Sequence, residues 1–243
     1  MSETVKGAFG KAFGLAESDP EFASFFENFL TQDVAAFGDI DSATERMAVL
    51  SVLAGAQGKE AFEVLLQDSA DCGVTPEMLR EIVYQSVAYL GFGRAYPFIL
   101  AVSRYLKDKG LLPLEKASTT TPETRLQAGS QKQVDLFGDG MRDFWKFGPQ
   151  ESVHINRWLA QNCFGDYYTR KGLDDRQREL ITFCFLAAQG GCEPQLTSHA
   201  GANMRIGNDK TFLIAVLSRC LPYIGYPRSL NALRCINDAA NAG

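Results

Sequence analysis

The stretch that decides the fold runs over residues 164–199 and reads F-G-D-Y-Y-T-R-K-G-L-D-D-R-Q-R-E-L-I-T-F-C-F-L-A-A-Q-G-G-C-E-P-Q-L-T-S-H. Its middle part, 179–188, carries apolar residues at the i, i+3, i+4 spacing of a helix. Two aspartates at 174–175 indicate a helix start, and the Glu-Pro pair at 193–194 indicates a second start. The Gly-Gly pair at 190–191 separates the two segments. The stretch therefore predicts two helices joined by a tight turn into an antiparallel hairpin.

Four side chains of this hairpin are candidates for chemistry. Glu179 lies on the first helix, and Gln195 and His199 lie one turn apart on the second. Cys192 comes at the start of the second helix. An acid, an amide and an imidazole are therefore expected to converge on one pocket. Straight helices would leave the Cα atoms of Glu179 and His199 about 6 Å apart along the axis, which a glutamate side chain largely covers.

The chain also contains a weak internal repeat. With the numbering shifted by 134, seven residue pairs coincide without a gap: Glu45/Glu179, Ala54/Ala188, Gly73/Gly207, Leu79/Leu213, Tyr89/Tyr223, Gly91/Gly225 and Arg94/Arg228. Identities at one constant offset indicate a duplicated supersecondary unit. A polar segment rich in Pro, Gly and Thr, 107–123, has the composition of a linker. We therefore predict two units, 1–115 and 120–243.

Helix signals dominate both predicted units. Thr75 is suited to cap a helix that starts at Pro76, and Gly91 and Gly225 suit the ends of helices, where a left-handed residue is favoured. Alternating Val, Ile and Thr runs bounded by hairpin turns are missing from the sequence. The predicted fold class is all-α, with a tandem duplication of a multi-helix unit.

Charge and composition narrow the functional classes. The 243 residues carry a formal net charge of −5 and have a pI near 5.2, which argues against nucleic-acid binding. No apolar run approaches the ~18 residues of a membrane span, and the N-terminus lacks the pattern of a signal peptide. We therefore expect no nucleic acid or membrane partner and a cytoplasmic location. The six cysteines are expected to be thiols, and the two histidines have no metal-ligand spacing, so no metal site is predicted.

Three phrases carry a resemblance to a known family. They are F-G-D-x-x-x-R-x-G-L-D-x-R-x-R-E-L at 164–180, E-P-Q-L-x-x-H at 193–199 and Y-I-G-Y-P-R-S-L-N-A-L-R at 223–234. The segment from 164 to 237 strongly resembles the carboxymuconolactone decarboxylase family, and 44–103 resembles it less clearly. The resemblance implies an alkylhydroperoxidase D-like helical fold and a homo-oligomer. For a fused pair of units it implies a trimer that forms a pseudo-hexameric ring.

The family resemblance implies two alternative chemistries. Decarboxylase members act without a cofactor on a carboxylated lactone in the breakdown of aromatic compounds. On this alternative the substrate is a small carboxylated ring compound, with His199, Glu179 and Gln195 as catalytic residues. Three arginines are candidates for holding a substrate carboxylate, because a guanidinium offers two parallel donors: Arg170, Arg178 and Arg228.

The second alternative is peroxide reduction. Alkylhydroperoxidase D-type members use a C-x-x-C-x-x-x-H motif, in which Cys192 and His199 would match the first Cys and the His. Gln195 stands where the second cysteine, the peroxidatic one, is expected, so Cys192 keeps only a possible redox role. The first unit departs further, since the offset places Leu65 at the His position. A third alternative is a non-catalytic, oligomeric binding protein.

Overall fold

The described part of this protein is mainly helical. The structure, a computed structural model, describes residues 12–242 and shows no strand among them. The helices are α1 Leu15–Ser18, α2 Pro20–Asn28, α3 Ser42–Gly55, α4 Lys59–Leu66, α5 Pro76–Leu90, α6 Phe92–Asp108, α7 Arg125–Phe137, α8 Val153–Trp158, α9 Asp175–Gln189, α10 Glu193–Arg205 and α11 Lys210–Ala242. Two π-helical segments, Phe29–Val34 and Leu159–Tyr168, continue α2 and α8. The predicted all-α fold class is confirmed.

Local sequence signals set the ends of the central hairpin. The Asp174 carboxylate accepts the backbone N–H of Gln177 at 2.8 Å, and the Gln177 side chain accepts the N–H of Asp174 at 3.0 Å. This reciprocal pair is a capping box, and it fixes the start of α9. Gly190 and Gly191 have φ of 68° and 71°, a left-handed conformation that favours glycine. The turn between α9 and α10 therefore forms where the sequence predicts it.

Helix bounds repeat at the same offset of 134 as the sequence identities. Helices α5 and α6, with Gly91 between them, correspond residue for residue to α11, which is interrupted at Gly225. The two glycines have φ of 78° and 77°. The π-helical segments also end at equivalent residues, Val34 and Tyr168. These correspondences support the predicted duplication, whose boundaries stay a prediction.

The two halves of the chain share their hydrophobic core. Helix α3 packs along α9, and Ala48 and Val52 of α3 belong to the same buried cluster as the apolar face of α9. A Cβ at Gly55 would lie 2.7 Å from Cβ of Ala188 and 2.8 Å from the carbonyl oxygen of Phe185. Glycine is therefore required where the C-terminal ends of these helices meet. This packing brings α5 of the first half against α9 of the second.

A second close contact positions the remaining wall of the site. Helix α7 lies against the π-helical segment Leu159–Tyr168. A Cβ at Gly129 would overlap the carbonyl oxygen of Ala160, and a Cβ at Gly165 would overlap that of Arg125. The two backbones thus approach to a distance that only glycine allows. As a result, Phe137 at the end of α7 reaches the imidazole of His199.

Candidate active site

The centre of the site is a buried pair of an acid and an imidazole. Nδ1 of His199 lies 2.8 Å from Oε2 of Glu179. The Glu179 side chain is fully buried, and that of His199 is 9% exposed. In the tautomer with the proton on Nδ1, the Nδ1–H group donates a hydrogen bond to the carboxylate, and Nε2 is the free ring nitrogen. Among the residues that the structure describes, none hydrogen-bonds Nε2, so this atom is available to a reacting molecule.

The other carboxylate oxygen of Glu179, Oε1, also accepts a hydrogen bond. The Tyr168 hydroxyl donates to Oε1 of Glu179 at 2.8 Å and lies 2.7 Å from Oγ1 of Thr182. Tyr168 ends the π-helical segment, and Thr182 lies one turn after Glu179 on α9. Both carboxylate oxygens of Glu179 are therefore engaged, which fixes the plane of the carboxylate and the orientation of His199.

The first half of the chain contributes a side chain directly to this site. The Tyr89 hydroxyl on α5 lies 2.9 Å from the Tyr168 hydroxyl. The Cys163 thiol donates to the Tyr89 hydroxyl at 3.6 Å. The Tyr89 ring also meets the His199 imidazole edge to face, with centroids 5.4 Å apart. Phe137 makes the same kind of contact from α7 at 5.2 Å. The imidazole is thus enclosed between two aromatic rings.

Burial keeps the hydroxyl and thiol groups of the cluster protonated. Desolvation raises the pKa of Tyr89 and of Tyr168 well above the usual value, and the nearby thiol of Cys163 and carboxylate of Glu179 add to the rise. Desolvation likewise raises the pKa of Cys163 to about 12. These groups act as hydrogen-bond donors over the physiological pH range. The electron-rich groups of the cluster are then the carboxylate and the imidazole.

A network of buried arginines supports the pair from behind. The Arg170 guanidinium binds both carboxylate oxygens of Glu81, with Nε–oxygen distances of 2.9 and 3.1 Å. Arg178 is fully buried and donates to Glu81 at 3.2 Å and to Oε1 of Gln85 at 2.8 Å. The Gln85 amide in turn donates to Oγ1 of Thr182 at 2.8 Å. Hydrogen bonds therefore run continuously from Glu81 to the acid and imidazole pair.

The predicted arginines thus have structural partners. Arg170 and Arg178 contact Glu81, and Arg178 also donates to the Arg170 carbonyl at 2.7 Å. Arg228 is half-buried and donates to the Ala188 carbonyl, which caps the end of α9. None of the three hydrogen-bonds the Glu179 and His199 pair. Their predicted role in binding a substrate carboxylate stays a prediction that these contacts do not favour.

Gln195 and Cys192 lie apart from the central pair. Gln195 is exposed, and the described residues include no hydrogen-bond partner for it. The Cys192 thiol donates to the Leu186 carbonyl at 3.4 Å and accepts from Gln189 at 3.5 Å. Desolvation raises the pKa of Cys192, so this cysteine stays a thiol near neutral pH. The structure therefore joins His199 to Glu179 and leaves the other two hairpin candidates outside the cluster.

Several residues of the site carry no local sequence signal. Tyr168 lies 11 residues before Glu179 with no periodic relation to it, and Tyr89 lies in the other half of the chain. Asn203 donates to the carbonyl of Glu179 at 3.0 Å and to that of His199 at 2.8 Å. Its position one turn after His199 was a usable signal, since a buried amide at that spacing ties α10 to α9. The two tyrosines become visible only through tertiary packing.

Two general features complete the description. Within residues 12–242, no group of three or more His, Cys, Asp or Glu side chains is arranged to hold a metal ion. In the same range, no helix is both long and apolar enough to cross a membrane.

Comparison with known proteins matches part of the chain to a family. Residues 154–238 match the carboxymuconolactone decarboxylase family, and this range contains both members of the central pair. No curated protein matches the chain. The matched range also contains the hairpin that carries Glu179 and His199, so over residues 154–238 this all-α chain is similar to the carboxymuconolactone decarboxylase family.

Proposed function

We propose that the protein is a cofactor-independent decarboxylase that acts on a small carboxylated lactone or a related ring compound. The observation that carries the proposal is the 2.8 Å contact between His199 and Glu179, with Nε2 of the imidazole left free beside two aromatic rings. Glu179 orients the imidazole through the contact with Nδ1. His199 is the proposed general acid, and it is the only histidine of the central cluster.

The reaction needs an electron acceptor and a proton donor. When the bond to the carboxylate carbon breaks and CO2 leaves, the electron pair moves into the ring and is accepted by the conjugated lactone carbonyl. Nε2 of His199, protonated from solvent beforehand, then gives its proton to the carbon atom that lost CO2, which leaves the imidazole neutral. Enclosure between the rings of Tyr89 and Phe137 favours this sequence, because charge is stabilised more strongly by fixed groups where water is excluded.

Peroxide reduction is less well supported. It requires an activated thiolate, whereas Cys192 is a half-buried thiol with a raised pKa, and Gln195 occupies the position of the second cysteine. A non-catalytic binding function would leave the buried acid and imidazole pair without a use. Both alternatives are outcomes of the test below.

The decisive experiment measures CO2 release from a panel of small carboxylated lactones. We expect His199→Gln to lower kcat by about 10²–10⁴-fold, the usual contribution of a general acid. The matched control is His154→Gln, because His154 is the other histidine and is exposed on α8. Equal turnover by the two variants would refute the role of His199. Thiol-dependent peroxide consumption that disappears in Cys192→Ser would favour the peroxidase alternative, and no activity in either assay would favour a binding protein.

The proposed assembly is a trimer that forms a ring of six similar units. Its support is that both halves expose apolar side chains at equivalent places after the glycine bend. Phe92 and Tyr96 on α6 correspond to Tyr226 and Leu230 on α11, and all four are exposed. Light scattering is expected to give about three times the chain mass of 26.7 kDa. A monomeric mass would contradict the proposed assembly and leave the proposed chemistry untouched.

A further inference from the structure

A cavity of about 720 Å³ opens beside the central pair, on the neighbouring face of α10. Its walls come from the end of α7, the exposed face of α10 and the last turns of α11. Most of the surface is apolar, and the lining includes Phe137, Met141, Met204 and Ala239. Two hydroxyl side chains, Thr197 and Ser198, add hydrogen-bonding groups. This volume and composition match sites for small organic molecules, which are mostly apolar with a few polar groups.

One charged side chain lines this cavity. Arg205, in the last turn of α10, is exposed, and the described part of the chain offers it no hydrogen bond or ion pair. Its guanidinium lies over Gly138, where a Cβ would come within 3.4 Å of Cζ. Gly138 has φ of 93° and ends α7, so the same glycine that terminates the helix leaves room for the guanidinium. The nearby Asp139 is engaged with Arg142 at 2.6 Å and does not neutralise Arg205.

The cavity shares a wall with the catalytic pair. The half-buried Phe137 ring lines the cavity and also meets the His199 imidazole at 5.2 Å between centroids. Ser198 and His199 are adjacent on α10, the first lining the cavity and the second facing Glu179. A molecule in the cavity is therefore separated from the imidazole by one aromatic side chain.

We propose that this cavity binds a small organic carboxylate, with its apolar ring against Phe137 and Met204 and its carboxylate on Arg205. Because Phe137 separates this cavity from the imidazole, the cavity is a binding site next to the His199 pair. Only the further step, that its ligand is the substrate that passes on to His199, rests on the proposed function. The charge argument favours an anion because a free guanidinium in an apolar setting pairs well with a carboxylate through two parallel donors. An apolar ring then fills the remaining volume.

The binding test uses benzoate and its neutral analogue benzamide with the full chain, followed by calorimetric titration. Benzoate is expected to bind saturably and more tightly than benzamide. Arg205→Gln is expected to weaken benzoate binding at least tenfold and to leave benzamide binding unchanged. The matched control is Arg94→Gln, since Arg94 is another exposed arginine without a partner in the described residues and lies on α6. Equal benzoate affinity in the two variants would overturn the role of Arg205.

A second variant fills the cavity without straining the fold. Gly201 lies in the interior of α10 and lines the cavity, and a Cβ there would meet no atom within 4 Å. Gly201→Leu is therefore expected to fold and to abolish binding of both benzoate and benzamide, whereas Gly201→Ala should bind both. Retained binding in Gly201→Leu would place the ligand elsewhere and overturn the assignment. The assignment would also be overturned if the wild-type protein failed to bind benzoate, for example because a second copy of the chain covers the cavity.

The two proposals fail in distinguishable ways. If benzoate binds through Arg205 but no lactone is decarboxylated, the binding site stands and the proposed chemistry falls. If lactones are decarboxylated through His199 while Arg205→Gln changes neither KM nor benzoate affinity, the chemistry stands and the site assignment falls. Benzoate that binds through Arg205 without competing with a turned-over lactone would separate the cavity from the substrate path and overturn the link to His199.

Discussion

Replacing Glu81 by glutamine tests how the two halves of the chain hold the site together. The Glu81 carboxylate is fully buried on α5 and accepts hydrogen bonds from Arg170 and Arg178 in the second half. Arg80 adds a third guanidinium at 3.3 Å. Glutamine keeps the shape and one acceptor oxygen, but it removes the negative charge that the three arginines share and directs an NH2 group towards the guanidinium groups.

The expected cost follows from the burial of the remaining charge. Arg178 keeps its hydrogen bonds to Gln85 and to the Arg170 carbonyl, but its charge then has no counter-ion. Desolvation already lowers the pKa of Arg178, which reflects how poorly this position solvates a cation. Breaking one side of a buried ion pair costs about 3–5 kcal/mol of unfolding free energy. At about 2–4 °C per kcal/mol for a chain of this size, Tm should fall by about 6–20 °C.

The same substitution on the surface is the matched control. Glu63 also contacts two cations, Lys59 at 2.6 Å and Arg104 at 2.8 Å, but its side chain is 34% exposed. Water and salt screen such pairs, so Glu63→Gln should cost at most about 1 kcal/mol. Urea unfolding followed by circular dichroism gives both values, at one protein concentration because assembly shifts apparent stability. A difference below about 1 kcal/mol between the two variants would refute the reasoning.

Three further predictions concern the site itself. Tyr168→Phe removes the donor to Oε1 of Glu179 and should lower kcat with little change in KM, as measured by steady-state kinetics on whichever lactone is turned over; an unchanged kcat would contradict the positioning role. Gln133 is fully buried, and neither of its amide atoms has a hydrogen-bond partner among residues 12–242, so Gln133→Met should raise the unfolding free energy measured in urea by about 1–3 kcal/mol, and a loss would contradict this. Because the pKa of Cys163 rises from 9.0 to about 12 on folding, the unfolded state loses its proton first. The unfolding free energy should therefore be unaffected by this thiol below pH 9 and should fall between pH 9 and about pH 12. Urea unfolding over this range should show a smaller decrease in Cys163→Ala, and an equal decrease would contradict the prediction.

The hairpin and its central pair follow from local sequence. The capping aspartate, the Gly-Gly turn and the Glu-Pro start are all short-range signals, and each appears in the structure at the expected residue. The simple estimate left the Cα atoms of Glu179 and His199 offset by about 6 Å along the axis, and their two side chains span that offset to meet at 2.8 Å. The sequence predicts Gln195 beside them, one turn before His199. Gln195 lies instead in the exposed first turn of α10, whereas His199 lies in the buried part of the same helix.

The contribution of α5 to the candidate site could not be predicted from the sequence. Glu81, Gln85 and Tyr89 recur every four residues and so lie on one face of α5. A polar stripe of this kind ordinarily faces solvent, and only the packing of α5 against α9 turns it inward. Burial of charged and polar groups becomes favourable here because each finds a partner across the two halves.

Helix α11 packs polar side chains against the first half, as α5 packs them against the second. At the offset of 134, Arg219 and Tyr223 of α11 occupy the places of Gln85 and Tyr89. Arg219 donates to the Val34 carbonyl at 2.6 Å, and Val34 ends the first π-helical segment as Tyr168 ends the second. Each half therefore receives a helix face from the other, around equivalent positions.

The equivalence explains why only one of the two glutamates sits in a candidate site. Glu45 corresponds to Glu179, but Leu65 stands where His199 would be. The carboxylate of Glu45 instead faces Nε of Arg219 at 3.4 Å and is 44% exposed. An arginine keeps its proton at any physiological pH, so this pair cannot exchange one with a bound molecule. The proposed proton transfer needs an imidazole, and at this position the second half has His199 where the first half has Leu65. The contribution of the first half to the candidate site is therefore the polar face of α5.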